Sequence, residues 1–460
     1  MKRFCPVSFL KICLVHGPFQ GRYYLLLMKV SERKSNTFIE IFEDYWGSFK
    51  EKYPAYNTDH YNSVVSKALS CGDPKEGYIR YHCMYCGKDE KVIGFTCKHA
   101  FCLRCGAIKA MDFVEEVKAK MYDGIKYKHL TLTIPEQLRQ IFYKNRHSSK
   151  LFNRLYSAAW AFINDVFKEL TGHSKLKPGC IMVIHVTGRK SNWNMHLHII
   201  LTMGGIDGIS GKWIEVKNQK PYALMRFRWK KHLLNMIKDF DSSVQMSFLL
   251  RKLWRKYNNG FIIHLDRRNV PKGANNLMAY LAKYLFRPSI SVKRILSYDK
   301  DKMEIEYEYA DHETQKIQKE KIDVLTFIGR MVQQVMPKGF KRVRYLGLHG
   351  TASVKKCKML VVSAIRNPER LEMNLQEAML VKRACNLSFR EKIMKWKKRD
   401  PLKCKECGRE MELVEVWIKE KGKVFDYFDE LRRAPPEIQL IPSRKVKVES
   451  EPMVQQRLIA

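Results

Sequence analysis

His196 and His198 are set two positions apart in the apolar run NMHLHIILT. Side chains at i and i+2 of a strand project from the same face, so this spacing predicts a strand with both imidazoles on one side. Leu197, Ile199 and Leu201 then point to an opposite layer. Two neighbouring imidazoles can chelate one divalent ion. Upstream, IMVIHVTG reads as a second strand, and the polar turn GRKSNW between the two predicts an antiparallel hairpin. His185 on the partner strand is the candidate third ligand, with His264 and Asn276 behind it.

Downstream, NNLMAYLAKYLFRPSIS reads as a helix. At about 100 degrees per residue, Tyr284 falls roughly forty degrees from Tyr280, with Asn276, Lys283 and Arg287 flanking them. Leu277, Met278, Leu281 and Leu285 form the opposite, core-facing stripe. Asn275 fits the N-cap, and Pro288 ends the helix. Taken singly, a histidine pair on a strand is more often a hydrogen-bonded structural feature, and tyrosines at i,i+4 a packed pair. Together with Lys283 and Arg287 they offer a phenol nucleophile for phosphodiester chemistry. A phenol with an ordinary pKa near 10 needs a cation to stabilise its anion and polarise the phosphate.

Charge points to a nucleic-acid partner. The 460 residues carry 85 Lys and Arg against 47 Asp and Glu, a formal net charge of +38. Such a field favours phosphate backbones through counterion release, and a 12% aromatic content offers stacking surfaces for unpaired bases. No apolar run reaches the ~18 to 20 residues of a membrane span. Residues 1–27 read as an irregular leader, with Met28 a possible alternative start. The basic run from Lys382 to Lys405 is either a DNA grip or a solvated helix face. No GxxxxGK[ST] phosphate loop occurs, and Gly204-Gly205 is too short to serve as one, so strand unwinding would fall to a host helicase.

The thirteen cysteines cluster as metal ligands do. Cys83 and Cys86 form one CxxC, Cys102 and Cys105 a second, with fifteen residues between them. That spacing predicts one structural Zn2+ site, with Cys97 and His99 as spare ligands. Cys404 and Cys407 look like half of a further knuckle, for which Cys357 and Cys385 are distant candidate partners.

Along the chain, YKHLTLTIP reads as a strand, 136–171 as a long amphipathic segment, 222–257 as helical and basic, and GFIIHLD as a strand. With the hairpin and the tyrosine helix, this order predicts an α+β fold with a largely antiparallel sheet packed by helices. No internal repeat is evident.

FTCKHAFCLRC, HLTLTIPEQLR, NMHLHIILTMGG, YLAKYLFRPSIS and FIGRMVQQVMPKGFKRVRYLGLHG together resemble the HUH-class rolling-circle insertion-sequence transposases of the IS91 family, over about 78–350. The resemblance implies transposition through single-stranded DNA, a tyrosine cutting one strand and staying joined to its 5′ phosphate. It makes His196 and His198 the two metal-binding histidines, for Mg2+ or Mn2+; the third ligand is not carried over, and His185 stays a candidate from the strand pairing alone. Tyr280 and Tyr284 match the tyrosine positions, used in turn, and Lys283 and Arg287 screen the developing charge. Read along the chain, the sequence divides into five regions: a leader and helical segment to 77, a zinc-binding module at 78–112, a catalytic domain at 113–300 that the resemblance makes HUH-type, a strand-rich then helical basic region at 301–400, and a tail at 401–460 with the CxxC knuckle. The expected partner is single-stranded DNA at transposon ends and target, in a cytoplasmic, nucleoid-associated setting. Two alternatives share these features: a rolling-circle replication initiator of a plasmid or phage, and a non-catalytic zinc-containing single-stranded-DNA-binding protein.

Overall fold

A computed structural model describes residues 37–433, except 123, 189–191, 217–221, 267–269, 271–289, 291–293, 311–315, 351–360, 362–389, 392 and 395–397. The chain packs as two units, Lys34–Cys71 with Thr96–Lys392, and Gly72–Phe95 with the described part of Ile393–Ala460. In chain order the described helices are α1 (Thr37–Lys52), α2 (Asp59–Leu69), α3 (Leu103–Lys120), α4 (Glu136–Lys144), α5 (Ser149–Thr171), α6 (Tyr222–Phe240), α7 (Val244–Lys256), α8 (Val324–Val332) and α9 (Tyr427–Arg433). The strands are β1 (Gly77–His82), β2 (Glu90–Gly94), β3 (Tyr127–Thr133), β4 (Leu176–Thr187), β5 (Trp193–Asp207), β6 (Trp213–Glu215), β7 (Ile263–Leu265), β8 (Ile295–Asp299), β9 (Glu304–Ala310), β10 (Ile317–Asp323), β11 (Val343–Gly347), β12 (Glu412–Ile418) and β13 (Gly422–Asp426).

The larger unit is built on one antiparallel sheet ordered β11-β4-β5-β3-β7, with β6 paired to β5. Strict alternation along β3, β4 and β5 sends Leu130 and Leu132, Met182 and Ile184, and Leu197 and Ile199 into one layer. There they meet α5, whose Leu151, Leu155, Phe162 and Val166 recur at helical spacing, and Trp229 and Leu233 of α6. Each such fully buried side chain contributes at most about 1.5–3 kcal/mol, so this layer is the unit's main source of stability. The other face of the sheet carries Tyr127, Ile181, Val183 and Ile200 against Phe113 and Val117 of α3, joined by Val270. A second core in the same unit packs Phe42 and Phe49 of α1 and Phe327 and Ile328 of α8 around Tyr307 of the three-stranded sheet β10-β9-β8.

The α+β architecture and the β4–β5 hairpin follow the sequence expectation. The amphipathic segment is helical in two pieces, and two expected domain boundaries do not hold. Residues 136–171 form two helices, because the chain breaks at 145–148 and Ser148 caps α5 by accepting from the Lys150 N–H at 3.3 Å. A boundary at 300 cuts through packed structure: β8 lies before it yet pairs with β9, and β11, far beyond it, extends the main sheet through Val343 opposite Val183. A boundary at 112 falls inside α3. Gly204 and Gly205 have a packing role: a Cβ on Gly204 would lie 2.5 Å from the Ile214 carbonyl of β6, and one on Gly205 2.6 Å from that of Lys177 in β4.

The smaller unit is a four-stranded antiparallel sheet ordered β13-β12-β1-β2. Strands from widely separated parts of the chain meet at its centre, Tyr78 lying opposite Trp417 with their rings stacked at 5.7 Å. Tyr78 also donates its hydroxyl to Glu415 at 2.5 Å. Among the described residues no helix is long and apolar enough to cross a membrane.

Candidate metal centres

The first centre lies on the main sheet, on the face away from α5. In the β4–β5 register His185 stands directly opposite His196, and His198 follows two residues along β5. Alternation therefore puts all three imidazoles on one face. Ring centroids are 4.3 Å apart for His185 and His198, 4.8 Å for His196 and His198, and 5.4 Å for His185 and His196. One donor atom from each lies within 4.8 Å of the others.

His185 and His198 are buried, while His196 is half-buried. Burial pushes the His198 imidazolium well below its ordinary pKa, reinforced by His185, His196 and His129, and burial lowers His196 too. Both rings are thus neutral at neutral pH, the form that ligates metal. The Asn194 carbonyl 2.7 Å from His196 Nδ1 can only accept, so Nδ1 carries the proton and Nε2 keeps its lone pair.

A fourth histidine stands behind this group. His129 of β3 holds its Nε2 2.9 Å from His198 Nδ1, the two rings nearly parallel, and Thr131 Oγ1 lies 3.3 Å from the same Nδ1. When His198 Nδ1–H donates to His129, the other nitrogen of His198 is left with a lone pair. His129 is lowered by burial, with Asp266 acting against it, so it can serve as a neutral acceptor. His264 sits exposed on the edge strand β7, opposite Thr131 and outside the cluster. Three imidazoles grouped in this way, two of them held neutral by burial, fit one divalent ion and leave coordination positions for oxygens.

The sulfur ligands divide differently from the expected set. Cys83 and Cys86 do not join Cys102 and Cys105. In the larger unit, Cys102 and Cys105 meet Cys71 and Cys97, with Sγ–Sγ distances of 3.5 Å for Cys71–Cys105 and 3.7 Å for Cys97–Cys105. Zinc–sulfur bonds of about 2.3 Å at tetrahedral angles put sulfurs about 3.8 Å apart, whereas a disulfide needs about 2.05 Å. The geometry therefore suits four thiolates around one ion. The sulfurs of Cys102, Cys71 and Cys97 hold the Cys105 thiol far below its ordinary pKa, while the same contacts raise Cys97 and Cys102, so the four sulfurs share their protons.

His99, expected as a spare ligand, is outside that group; its Nδ1 accepts the Phe101 N–H at 3.1 Å and shapes the turn before α3. In the smaller unit, Cys83 and Cys86 meet Cys404 and Cys407, while Cys357 and Cys385 lie outside the described residues. Tyr280, Lys283, Tyr284, Arg287 and Asn276 lie outside the described residues. The chain reaches that stretch from Val270, which packs on the histidine-bearing face and donates its N–H to the Tyr127 carbonyl at 2.8 Å.

Sequence reasoning missed His129 and Cys71. The alternation of HLTLT placed His129 on a definite face, which was a usable signal, but Cys71 stands alone in sequence.

A sheet bearing a buried imidazole cluster, in a chain with cysteine-ligand groups, has the ligand sets of a metal-binding protein, and its relatives are transposases. A family described as a putative transposase matches residues 179–357, and the transposase zinc-binding domain of the IS91 type matches residues 41–134. The transposase for insertion sequence element IS801 of Pseudomonas savastanoi pv. phaseolicola is 27% identical over 294 residues, covering 62% of this chain and 69% of the relative. A putative transposase of Sinorhizobium fredii is 22% identical over 352 residues, covering 72% of this chain and 86% of the relative. No solved structure matches the chain significantly. Over residues 41–134 and 179–357 the chain is similar to insertion-sequence transposases of the IS91 family.

Proposed function

We propose that this transposase cuts and rejoins single-stranded DNA at transposon ends and target through a 5′-phosphotyrosine link, as an HUH-type nuclease. The observation that carries this reading is the clustering of His185, His196 and His198 on the sheet face where, at Val270, the chain leads into the run bearing Tyr280 and Tyr284.

His185, His196 and His198 would hold the ion. Mg2+ or Mn2+ held there would supply positive charge for the scissile phosphate and the departing 3′ oxygen. The chain's own residues do the rest. The Tyr280 oxygen loses its proton and forms a bond to phosphorus, the bond from phosphorus to O3′ breaks, and O3′ leaves to take up a proton. The phosphodiester energy is kept in the tyrosine ester, so attack by a 3′ hydroxyl reverses the step and rejoins DNA. Tyr284 performs the same step on a second strand, while Lys283 and Arg287 balance the phosphate charge. His129 positions His198 and fixes its tautomer. The net charge of +38 draws the DNA backbone in. A DNA substrate of this kind places the protein at the nucleoid.

The test is labelled single-stranded DNA carrying element ends, incubated with Mn2+ or Mg2+ and resolved on a denaturing gel. Wild type is expected to form a covalent adduct, and the double variant Tyr280→Phe, Tyr284→Phe none. An adduct from the double variant, or its absence from wild type, defeats the tyrosine mechanism, and binding without any adduct is the result a non-catalytic DNA-binding protein would give.

A separate measurement addresses His129. His129→Phe is expected to weaken Mn2+ binding by about 10- to 100-fold, and His129→Gln, which keeps an acceptor, to restore much of it. Calorimetric titration reads both, and unchanged affinity in the phenylalanine variant removes His129 from this role.

A further inference from the structure

The Cys83, Cys86, Cys404 and Cys407 group lies only partly within the matched zinc-binding domain, because Cys404 and Cys407 fall well beyond residue 134. Its sulfurs are arranged like those of the first cysteine group. Cys83 lies 3.5 Å from Cys407 and 3.5 Å from Cys86, and Cys86 lies 3.6 Å from Cys404. These separations are close to the edges of a tetrahedron of sulfurs around one zinc ion and too long for disulfides.

The two halves are also built alike, from CMYCG and CKECG. In the first, the Cys83 N–H donates to the Asp89 carbonyl at 2.9 Å, and Gly87 N–H donates back to the Cys83 carbonyl at 2.9 Å. In the second, Cys404 N–H donates to the Arg409 carbonyl at 2.8 Å, and Gly408 N–H to the Cys404 carbonyl at 3.1 Å. Gly87 and Gly408 both adopt left-handed backbone, with φ of 65° and 72°. Each turn folds backbone N–H groups around a sulfur: Cys407 N–H approaches Cys404 Sγ at 3.5 Å. Two like knuckles, each closing a hairpin and facing the other across four sulfurs, make up the ligand set of a zinc ribbon.

We infer that Cys83, Cys86, Cys404 and Cys407 form a second structural zinc site, assembled from two knuckles more than three hundred residues apart and fastening the β1–β2 hairpin to the β12–β13 hairpin. The ion is structural because four thiolates leave no open coordination position. This inference stands apart from the nuclease reading, since it concerns neither the histidines nor the tyrosines.

Elemental analysis of the purified full chain tests it. Wild type is expected to hold about two zinc ions per chain. Cys404→Ser and Cys83→Ser should each hold about one, and the double variant Cys83→Ser, Cys404→Ser still about one, because both residues serve the same ion. Two ions retained in Cys404→Ser, or a further loss in the double variant, overturns the site. Should these variants fail to accumulate, wild type alone decides by N-ethylmaleimide labelling and mass spectrometry. In the zinc-loaded protein Cys83, Cys86, Cys404 and Cys407 should be protected together and become reactive in one step on chelation. Labelling of Cys404 and Cys407 at the chelated rate while zinc stays bound to the chain overturns the proposal.

Discussion

His196→Ala should cleave single-stranded DNA more than about 100-fold more slowly than wild type while binding the same oligonucleotide with little change. Groups that merely orient a metal ligand are worth about 10- to 100-fold, and a ligand itself should exceed them. His196 is the half-buried member of the cluster and has its proton held on Nδ1 by Asn194, so its loss removes a prepared donor nitrogen. Binding should survive because attraction to the backbone comes from the chain's excess of Lys and Arg. Cleavage time courses and filter binding on the same preparation separate the two effects. Cleavage within a few-fold of wild type would take His196 out of the metal site.

The second large effect concerns stability. Cys105→Ser is expected to release the zinc of the larger unit and to unfold the region around α1, α2 and the start of α3. Cys105 is buried against the cluster that includes Phe42 and Phe101, so a vacated site leaves unpaired polar sulfurs beside that core. Structural zinc binds with an apparent free energy of about 10–16 kcal/mol, as large as the total stability of an ordinary domain at about 5–15 kcal/mol. Limited proteolysis should therefore show new cuts within α1, α2 and the start of α3, with one zinc lost per chain. Wild-type zinc content and protection would show that these cysteines are an ordinary buried cluster.

How far the sequence could be read depended on the range of the signal. The β4–β5 hairpin was legible because both strands alternate cleanly and their turn is short, so His185, His196 and His198 could be set on neighbouring strands. His129 acts on His198 only through the β3–β5 register, which pairs Thr131 with His198, and no local pattern reports which residues oppose each other across separate strands. The cysteines failed for a related reason. Spacing suggested that neighbouring CxxC pairs would share an ion, yet β1 and β2 carry Cys83 and Cys86 into a sheet completed by β12. Cys71 then fills the place left beside Cys97, Cys102 and Cys105. Strand β11 was hidden likewise, since its partner β4 lies more than 150 residues earlier.

The pairing of β1 with β12 also sets a schedule for synthesis. At about 5–20 residues per second, roughly 15 seconds to a minute passes between the emergence of β1 and that of its partner. Through that interval the β1–β2 hairpin waits with one edge of β1 unmatched. Any message that stops short of Glu412–Ile418 yields a chain whose first hairpin never finds its mate, and an exposed strand edge of that kind is what cellular quality control removes.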